Sequence, residues 1–173
     1  ALNWHGASGA KFEAPTAPPP RDRHLTKDEY RKLLNGCSAP HMQLFCILAL
    51  TTAARKSAIL ELTWDRVDFE RKLIKLGIPG DKNRKGRAIV PMTDSSFKAL
   101  QEAHAARQSP YVVEYGGDRV IDIKKGFAAA VRRSGLVDVV PHDLRHSAAV
   151  WMAEAGVSMD EIAQYLGHST PAI

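Results

Sequence analysis

Long apolar runs are missing from this chain. The longest is the seven-residue "LFCILAL" of residues 44 to 50, far short of the roughly 18 residues that a membrane span needs. No secretory leader is read at the start, so the expectation is a soluble, cytoplasmic protein. Cysteine is equally scarce. Cys37 and Cys46 are the only two, and they form no Cys-x-x-Cys pair. Cys46, inside the apolar run, reads as a small core residue, and both cysteines read as reduced thiols.

What the chain does have is a core and a basic bias. At 173 residues and 45% hydrophobic it can build one domain of ordinary size. Lys and Arg number 24 against 19 Asp and Glu, a formal charge of +5, which favours a polyanionic partner. The charge is unevenly placed. Residues 71 to 87, "RKLIKLGIPGDKNRKGR", hold seven Lys or Arg and one Asp, a net +6 that exceeds the charge of the whole chain.

Residues 1–21 are Pro-rich at "APTAPPP" and read as a linker, preceded by the tail of a helix from an upstream domain. The domain proper is expected over 22–173. Thr26 and Glu29 form a capping box for a first helix that Gly36 stops. A second, mostly buried helix follows through "HMQLFCILALTTAA", and "RKSAILELTW" is a third helical piece after a break near Thr51 to Ala54. "RKLIKL" and "GRAIVP" read as β-strands around a Gly- and Pro-punctuated turn, joined by a third strand near Val67 to Phe69. Thr93 or Asp94 caps a helix to about Arg107, and another spans Ile121 to Ser134. The next opens at "PHDLRHSAAVWMAEAG". The last, "SMDEIAQYLG", has a capping box at Ser158 and Glu161 and a stop at Gly167. The fold class is mostly α with a small antiparallel β-sheet.

Five positions carry chemistry. Arg55 follows the break in the second helix, and Lys82 sits at the tip of the basic hairpin. His142 and Arg145, three apart at a helix start, share a face. His168 follows the Gly167 stop. Guanidinium groups grip phosphate oxygens through a planar fork, a lysine can protonate a leaving alkoxide, and a histidine exchanges protons near neutral pH. Two arginines, a lysine and two histidines suit phosphodiester transfer that needs no metal and no cofactor. The hairpin cations Lys82, Arg84, Lys85 and Arg87 suit the DNA backbone.

The order of these motifs resembles the catalytic domain of the tyrosine recombinases, the phage integrase family, over roughly residues 22 to 173. The first box is "TAARKSAILELTWDRVD", with Arg55 in the arginine position. A lysine hairpin ending in Val-Pro is matched by "DKNRKGRAIVPM". The second box, His-x-x-Arg, is His142 to Arg145, and the third is "LGHST" with His168. Ala53 stands where the family usually has Gly, and Ala58 where it usually has Glu. The hairpin is about one residue longer than the common form, which makes Lys85 a second candidate for the acid. The family's tyrosine nucleophile comes about nine residues after the third-box histidine, beyond Ile173, and Tyr165 precedes His168 and does not fill that slot.

The resemblance implies site-specific DNA recombination or integration through a 3′ phosphotyrosyl intermediate. Arg55 and Arg145 would clamp the scissile phosphate, Lys82 would protonate the 5′ oxygen, His142 would act on the tyrosine proton, and His168 would donate to the phosphate. The implied partners are double-stranded DNA and other recombinase subunits, a tetramer for the full-length enzyme and a monomer for this chain. The implied setting is a bacterial or phage-encoded mobile element, nucleoid-associated, with no membrane partner. The chain alone is expected to be inactive for want of the nucleophile. His146 faces another direction and reads as structural, and Leu144 and Trp151 read as core. Two rivals remain: a recombinase-derived protein that binds DNA without cutting, and a helix-turn-helix regulator built on "AVWMAEAGVSMDEIAQYLGHS". The second helix of that unit starts acidic and offers no Arg, Lys or Asn to read bases.

Overall fold

The computed structural model describes residues 22–77 and 89–167. The linker read over 1–21, the basic turn with Lys82, Arg84, Lys85 and Arg87, and the stretch from His168 onward lie outside the described residues. Within them, seven α-helices and two small antiparallel sheets form. No described helix is long and apolar enough to cross a membrane.

Helix α1, Lys27–Gly36, begins at the expected box: Glu29 N–H donates to Thr26 Oγ1 at 3.2 Å, and Thr26 N–H to the Glu29 carboxylate at 2.9 Å. Arg23 pairs with that carboxylate at 2.6 Å, so its second oxygen is also used. At the other end a Cβ on Gly36 would meet the Ala130 carbonyl at 2.5 Å. Only glycine lets α1 approach α5, Lys124–Arg133, so closely.

Helix α2, Pro40–Thr52, starts with proline at its first turn and buries seven of its residues, Phe45 and Cys46 among them. It runs through the centre, with α4 (Asp94–Ala105) on one side and α6 (Pro141–Glu154) on the other. Fully buried Phe45, Ile59, Leu100, Phe127 and Leu144 fill the space around it, each contributing about 1.5–3 kcal/mol. The α6 helix also holds the entering chain. Ser147 Oγ accepts from Leu25 N–H at 2.7 Å, and Trp151 Nε1–H donates to Leu25 O at 2.9 Å. Trp151 is thus half-buried with a polar task, whereas Leu144 is core as expected.

The expected third helical piece is shorter than its sequence suggested. Helix α3 covers only Lys56–Leu60, because the next residues find backbone partners elsewhere. Leu62 O accepts from Val112 N–H at 2.9 Å, and Trp64 N–H donates to Pro110 O at 3.0 Å. Strands β1 (Val67–Asp68), β2 (Leu73–Lys75) and β3 (Ile89–Pro91) then form the expected sheet in that order. Val67, Ile74 and Val90 are cross-strand partners and all buried, so one column of side chains fixes the register.

A second sheet was not foreseen. Strands β4 (Glu114–Tyr115) and β5 (Asp118–Arg119) pair around Gly116 and Gly117, whose φ of 62° and 82° suit a two-residue hairpin turn. The α5 helix starts at Lys124 rather than Ile121, where Asp122 accepts from Lys124 N–H at 3.2 Å. Helix α7, Met159–Tyr165, has the expected capping box, and Gly167 takes a left-handed φ of 65°.

Candidate active site

The break that exposes Arg55 is a property of α2's end. Ala53 is the C-cap, at φ 49° and ψ 24°, a left-handed conformation that side chains other than glycine resist. Two contacts help to hold it there. Thr52 Oγ1 donates to Leu48 O at 2.6 Å and accepts from Ala54 N–H at 3.2 Å. The chain then turns outward, and Arg55 stands exposed as the N-cap of α3. Alanine at this position therefore carries strain that glycine would avoid.

Helix α6 brings the second arginine. Pro141 occupies its first position, and Asp143 accepts from Val140 N–H at 2.8 Å to hold the start. His142 and Arg145 lie 60° apart around the helix, and this spacing straddles the edge of the core. His142 is exposed, whereas Arg145 is only 8% accessible. The shared face read from the sequence is thus a boundary, with one side chain outward and the other inward. His146 points elsewhere, edge-on to the His24 ring at 6.1 Å and 3.7 Å from the Asp22 carboxylate. That agrees with a structural part.

Arg145 links all three boxes. One terminal nitrogen donates to Ala53 O, two residues before Arg55. The other donates to Leu166 O at 2.9 Å, two residues before His168. Burial, then the charge of Arg55, pulls the Arg145 guanidinium down to about 10, so it remains cationic at neutral pH. Burial and the neighbouring charge both oppose the cationic form of Arg145, and an anion bound beside it would offset them.

Sequence reasoning dismissed Tyr165 as a nucleophile and missed its structural part. Its hydroxyl donates to Thr51 O at 2.6 Å, satisfying one of the last carbonyls of α2. Burial raises the phenol, which keeps it a proton donor. The only sequence signal was a tyrosine placed two residues before a glycine stop. Arg66 was also missed. It is buried, donates to Glu61 O, to Thr63 Oγ1 at 3.1 Å and to Gly77 O at 3.2 Å, and fixes the chain where the basic turn departs. Of the five chemistry-bearing positions, the described structure brings Arg55, His142 and Arg145 to one end of α2 and α6. Lys82 and His168 lie outside the described residues.

Comparison with known proteins gives this geometry its context. The chain is 26% identical over 162 residues to the integrase of Salmonella phage P22, covering 85% of this chain and 41% of that protein. It is 31% identical over 174 residues to the tyrosine recombinase XerA of Thermococcus onnurineus (strain NA1), covering 92% and 58%. It therefore spans about half the length of such relatives. Its fold superposes on the catalytic core of lambda integrase with a TM-score of 0.66 at 22% identity, covering 84% of this chain and 95% of that one. The sequence pattern of the phage integrase family matches residues 23–173, and this chain belongs to that family.

Proposed function

We propose that this chain is the catalytic domain of a DNA recombinase that cuts and rejoins strands through a 3′ phosphotyrosyl intermediate, with the tyrosine supplied beyond Ile173. The observation that carries this reading is the guanidinium of Arg145, wired to the backbone on both sides and set against the charge of Arg55. Held this way, the guanidinium is oriented in advance of any phosphate, and preorganised charge is where electrostatic catalysis gains most. Arg55 supplies the second fork from the exposed side. In this reading Lys82 or Lys85 protonates the leaving 5′ oxygen, His142 handles the tyrosine proton, and His168 donates to the phosphate. The hairpin cations Lys82, Arg84, Lys85 and Arg87 follow the DNA backbone. Residues 1–21 would link to an upstream DNA-binding domain.

The partners are double-stranded DNA in the cytoplasm and further recombinase subunits, four in the working assembly, with this chain alone a monomer. DNA-bound dimers and tetramers among integrases of the same fold support that assembly. The helix-turn-helix reading gains nothing from the structure. Tyr165 and Leu166 tie the end of α7 inward to Thr51 and Arg145, and its exposed face carries Asp160 and Glu161. Nicked suicide DNA incubated with the whole protein tests the proposal. A covalent adduct lost on Arg55→Lys with binding kept is expected, and no adduct from the unaltered protein would favour a DNA binder that does not cut.

A further inference from the structure

The two cysteines, nine residues apart in sequence, meet in the fold. Cys37 is the C-cap of α1 and half-buried, and Cys46 is buried in the middle of α2. Their sulfurs lie 3.9 Å apart. Cys37 Sγ also donates to Leu33 O at 3.3 Å. Arg133, whose Nε–H donates to Gly36 O at 2.7 Å, places a cation beside Cys37. The residues that follow Cys37, Ser38 and Ala39, line a cavity of about 530 Å³ together with Met42, Arg119, Asp122 and Arg133.

We propose that Cys37 and Cys46 form a thiol–disulfide exchange site, at which a small-molecule disulfide of the glutathione type closes an intrachain Cys37–Cys46 bond. A partly exposed sulfur in an electropositive corner with a second thiol behind it is the arrangement that makes a cysteine reactive rather than inert. The two sulfurs differ as the two roles require. The S–H of Cys46 bonding to Cys37, with Arg133 nearby, holds the Cys37 thiol below its ordinary range, while that same bond and burial push the Cys46 thiol well up.

The Cys37 thiolate attacks one sulfur of the small disulfide, forming a mixed disulfide and releasing one small thiolate. Cys46 then gives up its proton, attacks the Cys37 sulfur and releases the second. Two protein thiols are oxidised, one small disulfide is reduced, and the two protons end on the two small thiols. The sulfurs must close to about 2.05 Å. Cys37 can supply that movement, because its backbone is already extended (φ −75°, ψ 110°) rather than helical. Closure fastens the end of α1 to α2, the helix whose far end turns out Arg55.

The test exposes the folded 173-residue chain to oxidised glutathione near neutral pH, followed by alkylation and intact mass. The expected product has lost two hydrogens, takes no alkyl group, and yields a Cys37–Cys46 peptide. Cys46→Ser should stop with one glutathione on Cys37, and Cys37→Ser should remain unmodified while folded. If Cys46→Ser does not fold, Cys46→Ala serves, since alanine suits the same small buried space. The exchange constant should be at least about tenfold larger for the folded chain than in urea. Equal constants in the two states, glutathione retained on the unaltered chain, or a bond between two chains would each overturn the proposal.

Discussion

The Arg145 guanidinium donates to the Leu166 carbonyl at 2.9 Å, so the side chain proposed to clamp the phosphate also holds the backbone of the third box. This double duty separates the two arginines. Arg145→Lys keeps a charge but cannot reach Ala53 O and Leu166 O together, and it leaves buried carbonyls unmet. It should cost about 2–3 kcal/mol in urea unfolding as well as strand cleavage. Arg55→Lys, at an exposed position, should leave the unfolding midpoint nearly unchanged while lowering cleavage about 100-fold or more. Equal stability losses for the two would contradict this division.

Ala53→Gly should stabilise the domain. The left-handed backbone at φ 49° costs alanine about 1–2 kcal/mol, and part of that returns as glycine's unfolded-state entropy and lost Cβ burial. A net gain of up to about 1 kcal/mol in chemical denaturation is expected, and a loss would mean that the buried methyl outweighs the strain.

Tyr165→Phe removes one hydroxyl and leaves the ring. The Thr51 carbonyl loses its partner, so about 1 kcal/mol of stability should go, measured by thermal or urea melts. The ultraviolet phenolate titration of the intact chain should show Tyr30 and Tyr165 both ionising above the ordinary range, and only one of them should remain shifted in Tyr165→Phe. No DNA adduct should ever map to this residue.

Glu29 makes stability depend on acid. The bond from Arg23, then the Thr26 backbone, hold its carboxyl at about 2 against an ordinary 4.5. The folded chain therefore binds fewer protons than the unfolded one between those values. The contribution is full above about pH 4.5, shrinks as pH falls and is gone below about 2. Because the pair is partly solvated, it should amount to about 1 kcal/mol. Glu29→Gln should remove that much at pH 7 and flatten the acid limb of the stability curve.

Neutralising Lys82, Arg84 and Lys85 together should lower the slope of log affinity against log salt for duplex DNA by about two to three. An unchanged slope in a salt titration would place those cations away from the DNA.

Local signals carried most of the fold. Thr26 with Glu29 and Ser158 with Glu161 are short-range hydrogen-bonding devices, and each helix began where its box lies. The strands that carry Val67, Ile74 and Val90 were legible as short β-prone segments around a Gly- and Pro-punctuated turn. Arg55, His142 and Arg145 were legible as a set through their spacing and the family they resemble. Other features belong to the tertiary structure alone. That Arg145 is buried and His142 exposed depends on where the core ends, which no i-to-i+3 spacing encodes. The 3.9 Å meeting of Cys37 and Cys46 and the hydrogen bond of Tyr165 to Thr51, 114 residues away, arise only when α1, α2 and α7 pack. Their partners are set by the path of the backbone through space, and a backbone carbonyl such as that of Thr51 has no side-chain identity for a sequence to display.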